Sequence, residues 1–202
     1  MPLTNLIRRA CAAASIAILA ATIAACSVDP VTKQYLEGEN AGYISGEFRV
    51  TEIAPEDRSD PVAWAGVTEH GDDLTSVDTA GNVTVVNFWY AACGPCIVEA
   101  PDLEAVWQEY QDEDVSFVGV NTYDQAETAI SFAIDNDVTY PSIIDVNSGA
   151  VKLAFAAATP IQATPTTLVL DREGRVAARI VGQLEGPSIL STLVRETLEE
   201  TA

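Results

Sequence analysis

A chain of 202 residues is long enough for one well-packed domain with appended segments and too short for two comfortable domains. Hydrophobic residues make up 48% and charged residues 20%, which excludes a disordered polymer. The formal net charge of −20, from 30 acidic and 10 basic residues, argues against binding nucleic acid or anionic lipid headgroups through a basic surface. A saline habitat and basic partners are both compatible with this charge.

The amino-terminal segment has the order of a secretory signal. Arg8 and Arg9 form a short positive region, and residues 10–25 form an apolar run rich in alanine. This run of 16 residues is shorter than the roughly 20 that span a bilayer comfortably. It ends in Ile-Ala-Ala-Cys at 23–26, which resembles a bacterial lipobox. We therefore predict a signal peptide over 1–25 and lipidation at Cys26, with an uncleaved amino-terminal anchor as the alternative.

The predicted domain follows a polar, glycine-containing segment. Residues 26–46 are interpreted as a lipid-anchored tether, and about 20 flexible residues have a typical reach on the order of 25 Å. Residues 47–202 then form the predicted folded domain, outside the cytoplasm under either anchor.

Strand patterns dominate the first part of the domain. Residues 48–53 are a predicted edge strand, and residues 62–68 and 74–77 flank the turn 71–73, as in a hairpin. Residues 83–89 are a nearly continuous apolar, β-branched run, which is typical of a central strand covered on both faces.

Helical and strand patterns then alternate. Leu103, Val106, Trp107 and Tyr110 recur at spacings of three and four, which predicts a helix with an apolar stripe. The predicted closing helix, 187–198, turns Ile189, Leu190, Leu193 and Val194 inward. The elements predicted between these two helices are strands at 115–120, 142–146, 166–170 and 175–181, and helices at 126–134 and 150–156.

Cysteine spacing indicates redox use. Cys11 leaves with the signal and Cys26 is taken by lipid, so Cys93 and Cys96 remain. A structural disulfide would normally close a longer loop. A structural zinc site needs four ligands, and the chain adds one histidine, His70, which the sequence places in an exposed turn. A redox pair is favoured over both alternatives, and neither a metal nor a cofactor is expected.

The position of the pair suits thiolate chemistry. Cys93 lies between the end of a predicted buried strand and the start of a helix, where free N–H groups and the helix dipole favour the thiolate. A thiolate attacks a disulfide and forms a mixed disulfide with the substrate. Cys96, one turn later, would resolve this intermediate by closing a disulfide with Cys93.

Two stretches of the sequence match the signatures of a known family. Residues 87–101, Asn-Phe-Trp-Tyr-Ala-Ala-Cys-Gly-Pro-Cys-Ile-Val-Glu-Ala-Pro, resemble the active-site segment of the TlpA/ResA group of extracytoplasmic thioredoxin-like proteins. Residues 163–171, Ala-Thr-Pro-Thr-Thr-Leu-Val-Leu-Asp, resemble the second signature of this group. The resemblance covers about residues 60–200. It implies an α/β, thioredoxin-like fold with a central mixed sheet flanked by helices, an amino-terminal β-hairpin and a strand–helix insertion.

The resemblance also implies roles for residues near the pair. Asn87 occupies the position where cytoplasmic thioredoxins carry a buried aspartate, and Glu99 matches a glutamate that the group keeps near its cysteines. Glu99 is therefore a candidate catalytic residue, with an exposed helix carboxylate as the alternative. Ala92 departs from the tryptophan usual before the first cysteine, which leaves partner preference open.

The remaining candidate site residues lie in the two segments that resemble the family, 87–101 and 163–171. The resemblance places a cis peptide bond at Pro165, facing the pair, so that Thr164 and Pro165 would bind an extended substrate segment. Without the resemblance, a trans bond would be expected. Trp89, Gly94 and Pro95, together with Asn87, are the predicted supporting residues; Pro95 suits the first turn of a helix.

The resemblance implies reduction of disulfides in exported proteins, apocytochrome c among them, with a membrane thiol electron donor. A thiol oxidase and a non-catalytic anchored binding module are the alternatives. A peroxiredoxin is disfavoured because Tyr90 lies three residues before Cys93 in place of threonine. A copper chaperone of the Sco type is disfavoured because no histidine follows His70.

Overall fold

The computed structural model describes residues 49–200. The predicted signal peptide 1–25, the lipidation site Cys26 and the tether 26–46 lie outside the described residues. Within 49–200, no helix combines the length and apolar character needed to cross a lipid bilayer.

The described part of the chain contains eight strands and four α-helices. The strands are β1 (Arg49–Glu52), β2 (Ala65–Val67), β3 (Asp73–Thr75), β4 (Val83–Trp89), β5 (Val115–Asn121), β6 (Ser142–Ile144), β7 (Thr166–Leu170) and β8 (Val176–Val181). The helices are α1 (Gly94–Tyr110), α2 (Ala126–Asp135), α3 (Ala150–Ala154) and α4 (Ser188–Glu199), and a short 3-10 helix covers Pro55–Asp57.

Six strands form one mixed sheet in the order β1-β8-β7-β4-β5-β6, and β2 and β3 form a separate hairpin. β4, β5 and β6 are parallel, whereas β7, β8 and β1 are antiparallel to their neighbours. All seven residues of β4 are buried, as expected for a central strand covered on both faces. The predicted mixed sheet, flanking helices and amino-terminal hairpin of a thioredoxin-like fold are confirmed.

Alternate residues of β4 divide the core into two layers. Val83 and Val85 face α1 and α4, where they pack with Leu103, Val106, Leu190 and Val194. Val86 and Phe88 face the other side, where they pack with Trp64, Ile143, Val151 and Phe155. Asn87 and Trp89 share the face of Val83 and Val85 by the same alternation, so they point toward α1.

The first residue of β1 lies at the same end of the sheet as the carboxyl end of β4. Arg49 is opposite Val181, Val181 is opposite Thr166, and Thr166 is opposite Phe88. Among the described residues 49–200, β1 pairs with β8 alone, which confirms the predicted edge strand.

Several predicted elements are longer than the observed ones. The hairpin strand predicted over 74–77 ends at Thr75, because the Asp78 carboxylate accepts hydrogen bonds from the Thr75 N–H at 2.8 Å and its hydroxyl at 2.6 Å. β6 ends at Ile144, because the Asp145 carboxylate accepts the N–H groups of Val151 and Lys152 at the start of α3.

The inward face predicted for the closing helix is wrong at one position. Leu190, Leu193 and Val194 are buried, but Ile189 is 36% exposed. Positions 190, 193, 194 and 197 form the stripe that a period of 3.6 residues allows, and Thr197 completes it. Ile189 lies outside this stripe.

A buried arginine ties the beginning of the domain to its end. The Arg58 side chain is 3% exposed and donates to both carboxylate oxygens of Glu200 at 2.6 Å and to Asp171 Oδ2 at 3.0 Å. Its Nε also donates to the Ile53 carbonyl at 3.0 Å. A buried charge needs such pairing, so these contacts hold the segment after β1 against the end of α4.

Candidate active site

The two cysteines lie where β4 ends and α1 begins. Cys93 is the N-cap of α1, and its Sγ accepts the Cys96 N–H at 3.2 Å. The Cys93 N–H donates to the Tyr90 carbonyl at 3.2 Å, which closes the turn between strand and helix. Cys93 and Cys96 are joined by a disulfide, with Cα atoms 5.2 Å apart. The predicted order of strand, cysteine pair and helix is thus observed, and the two sulfurs are close enough to form and break a disulfide.

Once the disulfide is reduced, this position would favour a thiolate at Cys93 over one at Cys96. The first N–H groups of a helix lack partners within the helix, and the dipole adds positive potential there. The Cys96 N–H already points at Cys93 Sγ. Cys93 and Cys96 are 3% and 2% exposed, whereas Gly94 and Pro95 between them are exposed, so the pair lies directly beneath the surface.

The Trp89 side chain packs beside the two cysteines. Its ring lies 4.4 Å from that of Phe132, and its Nε1 donates to Ser142 Oγ at 3.2 Å. Trp89 packs in one buried cluster with Cys93, Cys96 and Ala129. A Cβ atom at position 119 would lie 2.1 Å from Ser142 Oγ and 2.9 Å from Trp89 Nε1, so glycine is required there.

Glu99 is fully buried, so the exposed-carboxylate alternative is wrong. Its Oε1 accepts from Asn87 Nδ2 at 2.9 Å, and its Oε2 accepts from the Leu184 N–H at 3.0 Å. Asn87 Nδ2 also donates to Thr167 Oγ1 at 3.0 Å. The Glu99 carboxylate therefore connects α1 directly to β4 and to the loop between β8 and α4, and through Asn87 to β7.

Burial raises the pKa of Glu99 from its ordinary value of 4.5 to about 7. The donors Leu184 N–H and Asn87 oppose this shift, and the nearby charge of Asp102 adds to it. A carboxyl that titrates near neutral pH can both accept and return a proton under physiological conditions. Asn87 also lines the same small cavity as Cys96, which places the carboxyl network next to the second cysteine.

The second signature lies at the same end of the sheet. The Thr164–Pro165 peptide bond is cis, as the family resemblance predicts. β7 starts one residue later, at Thr166, which lies opposite Phe88 near the end of β4. Pro165 is buried and its carbonyl accepts the Gly182 N–H at 2.9 Å, whereas Thr164 is half-buried. Substrate binding by Thr164 and Pro165 remains a prediction.

His70 is not part of this site. Its side chain is 65% exposed in the hairpin turn and lies 3.9 Å from a carboxylate oxygen of Glu69. The predicted exposed turn histidine is confirmed.

Sequence reasoning missed three contributors to the site. Thr167 and Leu184 complete the hydrogen bonds around Asn87 and Glu99. Asp124, in the loop after β5, accepts the Ala91 N–H at 2.6 Å. One signal was available for Asp124, since the carboxyl ends of adjacent parallel strands share an edge of the sheet.

Known proteins resemble the chain over this same region. The model of the redoxin family matches residues 52–194. Thiol-disulfide oxidoreductase ResA of Bacillus cereus is 28% identical over 122 residues, which are 57% of this chain and 67% of ResA. Thioredoxin-like protein YneN of Bacillus subtilis is 31% identical over 120 residues, 58% of this chain and 66% of YneN. The matched segment therefore spans about two thirds of these relatives' own length.

A solved structure supports the same assignment. The thiol:disulfide interchange protein of the thioredoxin family from Chlorobium tepidum is 25% identical, with a TM-score of 0.65 over 72% of this chain and 99% of that one. With the paired cysteines at the start of α1, the chain belongs to the redoxin family as a TlpA/ResA-like thiol–disulfide oxidoreductase of thioredoxin-like fold.

Proposed function

We propose that this protein reduces disulfides in exported proteins while anchored by lipid at Cys26 on the outer face of the bacterial cell membrane. The observation that carries the redox part is the Cys96 N–H directed at Cys93 Sγ at the start of α1. The extracytoplasmic position rests on the signal-like residues 1–25 and the lipobox-like residues 23–26. Apocytochrome c is a candidate substrate through the TlpA/ResA resemblance.

The first step is attack by the Cys93 thiolate on one sulfur of the substrate disulfide. A bond forms between Cys93 Sγ and that sulfur, the substrate S–S bond breaks, and the released thiolate takes a proton. The positive end of α1 and the Cys96 N–H stabilise the attacking anion. Thr164 and Pro165 would align the substrate segment.

The second step releases the reduced substrate. Cys96 loses its proton, and its thiolate attacks Cys93 Sγ, which closes the protein disulfide and expels the second substrate thiolate. Glu99, whose pKa lies at about 7, is the proposed acceptor of the Cys96 proton. A membrane thiol donor then returns two electrons to the pair by the same exchange chemistry.

The direction of electron flow is tested by the reduction potential of the pair. We expect a value closer to that of thioredoxin than to that of DsbA, two poises that differ by about 150 mV, or roughly 7 kcal/mol. Equilibration with glutathione buffers, read by alkylation and mass spectrometry, measures it. If the cysteines stay reduced in a glutathione buffer whose reduction potential matches that of protein disulfide isomerase, the protein is a thiol oxidase instead. A wild-type protein that fails to reduce insulin would support the binding-module alternative.

The anchor is tested by Cys26→Ser. Two acyl chains hold a protein stably on a membrane, whereas one chain binds only marginally. We therefore expect the variant to move from the membrane fraction to the soluble fraction, with insulin reduction unchanged. Retention on membranes after a salt wash would contradict lipidation at Cys26. Cys11→Ser is the matched control and should remain on the membrane.

A further inference from the structure

The loop after β5 forms hydrogen bonds with the segment between β4 and Cys93, which leads to the redox pair. β4 and β5 are parallel neighbours whose last residues, Trp89 and Asn121, stand opposite each other. The Thr122 N–H donates to the Trp89 carbonyl at 3.1 Å, and the Thr122 hydroxyl donates to the same oxygen at 3.4 Å. Asp124 Oδ2 accepts the Ala91 N–H at 2.6 Å. The loop after β5 therefore binds two backbone groups that precede Cys93, the Trp89 carbonyl and the Ala91 N–H.

Asp124 is itself held in place by a buried side chain. Asn121 is fully buried, and its Nδ2 donates to Asp124 Oδ2 at 3.0 Å. Asn121 Oδ1 accepts the N–H groups of Tyr123 at 3.0 Å and Asp124 at 2.7 Å. The Tyr123 ring also lies 5.7 Å from the ring of Tyr90, on the opposing loop. The two loops therefore meet through polar and aromatic contacts.

The usual role of an aspartate at this position does not account for these bonds. An aspartate close before a helix commonly caps that helix. Here Gln125 is the N-cap of α2, and the Asp124 carboxylate accepts from Ala91 and Asn121 instead. Its hydrogen bonds serve the loop before Cys93.

We propose that Asp124 is a positioning residue for the redox pair, acting through the Ala91 N–H. Ala91 lies two residues before Cys93, inside the turn closed by the Cys93 N–H and the Tyr90 carbonyl. Fixing this turn keeps Cys93 Sγ in line with the Cys96 N–H, which stabilises the thiolate. This inference rests on the proposed function, in which Cys93 is the attacking cysteine.

Two substitutions separate the hydrogen bond from the charge. Asp124→Asn removes the charge but keeps an oxygen that accepts the Ala91 N–H, whereas Asp124→Ala removes both. Loss of the charge alone would favour the Cys93 thiolate. We expect Asp124→Ala to slow alkylation of Cys93 at pH 6 by about threefold or more, because a lost hydrogen bond loosens the site, and Asp124→Asn to stay within about twofold of wild type.

The measurement is iodoacetamide alkylation of Cys93 in the reduced whole protein, followed by peptide mass spectrometry. Hydrogen exchange at the Ala91 amide is the second readout, and it should speed up in Asp124→Ala but not in Asp124→Asn. Glu127→Ala removes an exposed carboxylate from the first turn of α2 and should change neither readout. If Asp124→Ala does not fold, Asp124→Glu, which keeps the charge but displaces the oxygens, carries the same expectation.

Equal Cys93 reactivity in the alanine and asparagine variants would overturn the positioning role, as would unchanged exchange at Ala91 in Asp124→Ala. Insulin reduction by the wild type is run in parallel. Its absence would refute the proposed function, while the alkylation and exchange comparison would still decide the role of Asp124.

Discussion

Cys93→Ala is expected to abolish disulfide exchange, and Cys96→Ala to convert the protein into a trap. Without Cys93 the site loses the sulfur at the start of α1, so insulin reduction should fall by about 1,000-fold or more, to background. Without Cys96 the first step still proceeds through Cys93, but no thiol resolves the mixed disulfide. Covalent complexes with substrate should therefore accumulate in the Cys96→Ala variant, and their release should require added reductant.

These complexes are measured on non-reducing gels, and mass spectrometry identifies the cysteine that is linked. Cys26→Ser is introduced into all variants so that an unmodified Cys26 thiol does not contribute. Far-UV circular dichroism checks that each variant folds. Equal trapping by both single variants would contradict the assignment of Cys93 as attacking residue and Cys96 as resolving residue.

Glu99→Gln is expected to change both the thiol titration and the pH dependence of stability. An ionised carboxylate next to the pair disfavours a second negative charge, so its removal should lower the apparent thiol pKa of the coupled pair by about one unit. Asn87 can accommodate the new amide by rotating its own amide group. The titration is followed by thiolate absorbance at different pH values.

The expected stability change has a definite sign. The pKa of Glu99 is raised in the folded protein, from 4.5 to about 7, so folding is penalised once the unfolded chain ionises this group. The penalty is absent below pH 4.5, grows as pH rises toward 7 and then levels off at about 3 kcal/mol. Relative to the wild type, Glu99→Gln should therefore gain about 3 kcal/mol of unfolding free energy between pH 4 and pH 8.

Denaturant unfolding of the disulfide form measures this difference, because the oxidised pair does not titrate. Glu109→Gln is the matched control, since Glu109 is exposed and lies ten residues further along α1, about 15 Å away along the helix axis. A thiol titration identical to the wild type would remove Glu99 from the proposed proton transfer. A difference in stability that does not vary with pH would contradict the raised pKa.

The central strands and the redox pair were predictable because local signals agree there. The strands predicted at 83–89 and 166–170 have the same bounds as the observed β4 and β7. Both strands are buried at every position, so apolar character alone marks their ends. The two-residue spacing within Cys93-Gly-Pro-Cys96 at a strand–helix junction was equally specific.

The features that could not be predicted depend on contacts that the linear pattern of residue types does not show. The partners of Glu99 lie on β4 and in the loop before α4, so neither its burial nor its pKa follows from its place in α1. The pairing of Asp124 with Ala91 likewise joins residues 33 apart. The side chains of Asp78 and Asp145 accept hydrogen bonds from backbone N–H groups, and these bonds end β3 and β6 earlier than apolar patterning indicates.

The start of β1 lies three strand intervals from β4, on the end of the sheet that carries the redox pair. Strands are about 4.8 Å apart, which separates the two by about 14 Å. On the proposal that Cys26 is lipidated, the tether joins the domain beside its reactive end. On the same proposal, a thiol donor embedded in the bilayer would approach Cys93 from the end of the domain that carries the attachment point. On this proposal, we expect unfolded segments with exposed disulfides to be reduced faster than bulky folded substrates, which would have to enter the space between the domain and the bilayer.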